Sequence, residues 1–174
     1  MSSSKSGRKA YKVAFHGLML ALALALSFFE SMLPAMPFLP VGVKLGLSNI
    51  VTMYCLFFLG GKSALSVAFL KSCFVLLMRG PVGAALSLAG GVLSVAMMLL
   101  VKRIPSLTNG FVSIVGAISH NVGQLVLASF ILKSAYAFYY LPVMIISGAV
   151  MGAVTGVLLR LVMPYLHNAD KAIK

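Results

Sequence analysis

Three strongly polar side chains lie within five residues of an otherwise apolar stretch: His120, Asn121 and Gln124 in GAISHNVGQL. In a helix, His120 and Gln124 stand i,i+4 on one face with Asn121 beside it. Such groups are costly in apolar surroundings unless hydrogen-bonded. They serve either as glue between helices or as a face that hydrogen-bonds a ligand, and their concentration here favours a ligand. Asn49 and Thr52, in SNIVTMY, can add to that face. The second constellation is cationic. Lys44, Arg79 and Lys133 each fall at the end of an apolar segment, and Lys71 falls near the middle of one. A Lys at the centre of a membrane helix costs roughly 2.5–3.5 kcal/mol on the insertion scale, so Lys71 calls for a partner. Glu30 and a bound anion are both open as that partner. Lys44 and Arg79 flank Gly/Pro turns and read as anion-binding. Lys133 reads as a side chain snorkelling to the headgroups.

Carboxylates are nearly absent. The chain has one Glu (Glu30) and one Asp (Asp170). Metal-dependent diphosphate chemistry needs several oxygen ligands, and carboxylate dyads need two acids in one site, so neither is expected. No GxxxxGK[ST] occurs, so no ATPase activity is expected of this chain. Cys55 and Cys73 sit in apolar runs and read as inert thiols rather than as a disulfide or metal site. The expected protein is not an enzyme and holds no metal and no cofactor.

The elements that position these groups follow from composition. Of 174 residues, 61% are hydrophobic and 9% charged, against about 25% charged in soluble domains; mean hydropathy is +1.07. About 20 apolar residues span a bilayer, so the expectation is an all-α polytopic membrane protein, a six-transmembrane-helix bundle. The spans fall at about 11–33, 44–60, 63–78, 83–101, 112–133 and 141–163. A disordered basic tail at 1–10, a membrane domain at 11–163 and a polar tail at 164–174 complete the organisation. Three prolines in 34–40 make the first connection a loop, and Arg79-Gly80-Pro81 breaks spans three and four apart.

The net charge of +12 is read by position, not as a nucleic-acid signal. With both termini cytoplasmic, ten of the 14 Lys and Arg lie inside, and three (Lys44, Arg79, Lys133) lie outside. Those three outer ends can converge on one outward-facing cavity. Two small-residue stripes permit close helix approach. Gly148, Gly152 and Gly156 read as packing within the bundle. For Gly17, Ala21 and Ala25, internal packing and docking to a partner protein are both open.

Four segments together, LPVGVKLGLSNIVTMY, the GGK turn, LAGGVLS and GAISHNVGQL, resemble the Gx-transporter family, whose members are often labelled heptaprenyl diphosphate synthase component I. That family in turn looks like a branch of the substrate-binding S-components of energy-coupling factor (ECF) vitamin transporters. The resemblance implies a six-helix protein that binds a small molecule near the outer face, with the Pro-rich loop at 34–43 as a lid. It implies docking through Gly17, Ala21 and Ala25 to a transmembrane T-component carrying two ATPase subunits. The expected function is an S-component for a small anionic or amphipathic substrate, such as an isoprenoid diphosphate or a vitamin-like precursor, in a bacterial plasma membrane among its lipids. Lys44, Asn49, Lys71, Arg79, His120, Asn121 and Gln124 are the expected substrate-binding residues. The alternative is a non-catalytic membrane subunit associated with a prenyl diphosphate synthase, although the Asp-rich motifs of those enzymes are absent from this sequence.

Overall fold

The computed structural model describes the backbone of residues 3–32 and 47–172, and the side chains of Ala10 and of residues 13–32 and 48–161. Among the described residues all regular structure is helical: α1 (Ser3–Met32), α2 (Leu47–Phe58), α3 (Gly61–Val101), α4 (Asn109–Leu132), a 3₁₀ segment (Ala135–Tyr140) and α5 (Leu141–Ala172). Four described segments are long and apolar enough to cross a membrane: Val13–Met32, Gly61–Val101, Asn109–Leu132 and Ala135–Leu161. Their outward faces are as apolar as their core. Leu77 is 84% exposed and Phe130 73% exposed, which suits a protein solvated by lipid.

α3 has 41 residues, about 60 Å if straight and about twice the hydrocarbon thickness. It is not straight. Gly80 has φ 76 and ψ −176, a conformation that favours glycine, and Pro81 has no N–H to continue the ladder. The two arms fold back on each other. A Cβ built on Gly83 would stand 3.5 Å from Val75 Cγ1, one on Gly91 3.2 Å from Ala68 Cβ, and one on Gly61 3.1 Å from Leu99 Cδ1. Those three pairings step regularly away from Gly80, as an antiparallel hairpin requires.

α2 is the central element. Six consecutive residues, Val51 to Leu56, are buried, and the helix packs against α1, α3 and α5. Five of them, Val51 and Met53 to Leu56, form the apolar core together with Met19, Ala23, Ala64, Val67, Val95, Met98, Val112 and Leu159. That core lies toward the end of the bundle away from Gly80. The same end carries a His16 Nε2 to Ser63 Oγ contact at 2.6 Å and a Lys102 Nζ to Leu56 carbonyl bond at 3.3 Å.

α4 and α5 approach closely through the glycine stripe. Cβ atoms built on Gly148, Gly152 and Gly156 would stand 2.9 Å from Ile118 Cα, 2.5 Å from Ile114 Cα and 3.0 Å from Gly110 Cα. No side chain larger than hydrogen fits there, so this stripe packs inside the bundle as its spacing implies. α4 begins at a Thr108 cap whose hydroxyl accepts from Phe111 N–H at 3.3 Å. It ends at Lys133, left-handed with φ 48 and exposed.

Among the described residues there are five α-helices and a 3₁₀ segment, and the non-helical Gly80 divides α3 into two helical arms where the sequence places spans three and four. The structure departs from the sequence reading at the N-terminal tail. The tail read as disordered at 1–10 is helical from Ser3, and the polar residues from 164 continue α5 as far as Ala172. Basic and polar residues extend a helix readily once an apolar span has nucleated it. The Pro-rich loop and Lys44 lie outside the described residues.

Candidate functional site

At the Gly80 end, where the apolar core stops, the helices enclose a cavity of about 250 Å³. Four helices build it. α1 contributes Ser27 and Glu30, and α2 contributes Ser48. The arms of α3 contribute Lys71, Arg79 and Ser87, with Val75, Val82 and Leu86 as an apolar wall, and α4 contributes His120 and Gln124. Ser27 and Glu30 are i,i+3, one turn apart on the inward side of α1, at 3% and 5% exposure.

Lys71 is 3% exposed. Its ammonium donates to Ser48 Oγ and to Asn49 Oδ1, both at 3.2 Å. Two neutral acceptors on α2 therefore hold a buried cation on α3. Arg79 stands about 12 Å further along the same arm, eight residues at 1.5 Å each, next to the Gly80 turn. It is exposed and forms the rim. Opposite, the Gln124 amide nitrogen and His120 Nε2 lie 3.2 Å apart, and a Cβ on Gly90 would meet the His120 carbonyl at 2.7 Å. Glycine at 90 is what lets α4 come close enough to bring these side chains to the cavity.

The structure thus brings together Lys71, Arg79, His120 and Gln124 around one space. Asn49 is one step back and positions Lys71. Asn121 is not in the group. It is buried, and its Nδ2 donates to the Met144 carbonyl at 2.9 Å, tying α4 to α5; it is the helix glue that the spacing left open. Thr52 is buried at 3% and does not line the cavity. Lys44 lies outside the described residues. Sequence reasoning missed Ser27 and Ser87 because lone serines in apolar helices carry little signal. Ser27 could have been found from its i,i+3 relation to Glu30.

Gly17, Ala21 and Ala25 are all exposed, and a Cβ on Gly17 meets nothing within 4 Å. This stripe faces away from the bundle, unlike that of α5, so internal packing does not account for it.

Among solved structures, the chain is similar to one described as the S component of a bacterial ECF transporter. The TM-score is 0.72 at 20% identity, over 94% of this chain and 99% of that one. The two share a fold. Comparison with curated proteins returns no match. The profile of the family described as heptaprenyl diphosphate synthase component I matches residues 19–162. With most of its length matched, the chain belongs to the heptaprenyl diphosphate synthase component I family.

Proposed function

We propose that this chain is the substrate-binding S-component of an ECF-type importer, a binding subunit and not an enzyme. The observation that carries the reading is the partly enclosed cavity at one end of an S-component-like fold, with buried Lys71 and exposed Arg79 on one helix arm. A cavity with two cations and one apolar wall fits a small anionic or amphipathic substrate. At about 250 Å³ it lies below the roughly 300–1,000 Å³ of common ligand sites, so the substrate is compact. An isoprenoid diphosphate with a short chain or a vitamin-like precursor meets this condition; a long polyprenyl chain does not.

In this reading each arm of α3 crosses the membrane, giving six crossings, and both termini are cytoplasmic in a bacterial plasma membrane. The cavity then opens outward, and Lys44 joins its rim. The exposed stripe of Gly17, Ala21 and Ala25 on α1 docks to a T-component, which carries two ATPases. Native mass spectrometry of the gently purified full-length protein tests the proposal. A bound small molecule together with subunits carrying Walker motifs supports it. A soluble prenyl diphosphate synthase as the co-purifying partner overturns it.

A further inference from the structure

A site made only to hold an anion gains nothing from a carboxylate. Yet Glu30, the one acid among the described side chains, lines this cavity at 5% exposure. Acids within membrane segments are expensive and mark function. The groups are also laid out by sign. Arg79 is exposed at the rim, where its guanidinium presents a planar fork suited to a carboxylate or phosphate. Lys71 lies deep and already donates to Ser48 and Asn49. Glu30 comes from α1, and both cations come from one arm of α3. A carboxylate offers about four acceptor sites, so whatever else Glu30 bonds, a ligand in this cavity meets an acceptor-only group.

We infer that the ligand is a compact amine-bearing anion or zwitterion: its acidic group at Arg79, a protonated nitrogen at Glu30, and an apolar body against Val75, Val82 and Leu86. This rests on the reading of the cavity as the substrate site and narrows it. A diphosphate without a donor group offers the Glu30 carboxylate nothing to accept, which disfavours it.

The test uses full-length protein in detergent and matched probe pairs that differ by one amine: 4-(aminomethyl)benzoate against 4-methylbenzoate, and phosphoethanolamine against ethyl phosphate. Titration followed by thermal shift gives an apparent affinity for each. The amine-bearing member should bind about tenfold or more tightly, since charge-assisted bonds are the strong ones. Glu30→Gln should erase the difference within each pair, and Arg79→Gln should weaken both members. Equal affinities within the pairs in the wild type, a preference that survives Glu30→Gln, or no response to any of the four would overturn the inference. The wild-type comparison stands even where Glu30→Gln fails to fold. Binding of the amine-bearing members that ignores Arg79→Gln would instead strike at the anion site itself.

Discussion

The Lys71 ammonium on α3 donates to the Asn49 side-chain carbonyl on α2 at 3.2 Å, inside the bundle. One bond joins Lys71, a cation buried to 3% exposure, to α2, the helix that carries the core residues Val51 and Met53–Leu56, beside the cavity. Removing the ammonium therefore does two things. It orphans acceptors on Ser48 and Asn49, and it strips the cavity that Lys71 shares with Glu30 of its deep positive charge.

Lys71→Met should accordingly destabilise the protein. A buried group left without its partner costs about 1–3 kcal/mol, and each kcal/mol lowers Tm by roughly 2–4 °C in a chain of this size. Adding Glu30→Gln should recover part of the loss, because it removes a buried carboxylate from a cavity that has lost its deep positive charge. Thermal melts of the single and double variants check this. A double variant no more stable than Lys71→Met would mean that the two side chains do not share an electrostatic environment.

Arg79→Gln should leave the fold intact, since Arg79 is exposed at the rim, and weaken an anionic ligand by about ten- to a hundredfold, the worth of one charge-assisted bond. Lys44→Gln, in the connection before α2, should do the same if Lys44 joins that rim. Unchanged affinity in both would leave a neutral or cationic substrate as the better reading.

Asn121 and Gln124 separate by role. Asn121→Ala breaks the bond to Met144 and should cost about 1–3 kcal/mol of stability with little change in ligand affinity. Gln124→Ala should weaken binding at nearly unchanged Tm. Isothermal titration beside thermal melts distinguishes the two. A loss of affinity in Asn121→Ala at unchanged Tm would return that residue to the site.

Orientation is checked by thiol labelling in a background without Cys55 and Cys73. A cysteine at Ser106, in the α3–α4 connection, should react from the cytoplasmic side. One at Tyr139, in the 3₁₀ segment, should react from outside. The reverse pattern would turn the cavity toward the cytoplasm.

The sequence carries the bundle well where a physical constraint is local. The break at Gly80-Pro81 follows from the residues themselves, and so does the close packing of α5 through Gly148, Gly152 and Gly156. Burial of Lys71 near mid-helix is equally legible. Facing is harder. His120, Asn121 and Gln124 look alike as polar insertions, yet Asn121 sits about 100° around the helix from His120, which turns it from the cavity to α5. That angle acquires meaning only once the neighbours of α4 are known. The stripe of Gly17, Ala21 and Ala25 has the spacing of a packing seam, and only its exposure, with no described helix against it, shows that it faces outward. Ser27 and Ser87 escape notice because a serine in an apolar helix often satisfies itself on the preceding turn, as Ser72 does on Ala68 at 2.9 Å.

The account depends most on the outward stripe being a docking surface beside an independent binding site. The direct measurement is recovery of T-component and ATPase subunits with affinity-tagged wild-type protein and with Ala21→Leu, both purified from native membranes, together with the Tm of each isolated chain. Ala21 is exposed, so the account predicts an unchanged Tm and a complex present in the wild type and lost in the variant. A complex retained in full by Ala21→Leu, or a variant that unfolds, would contradict it.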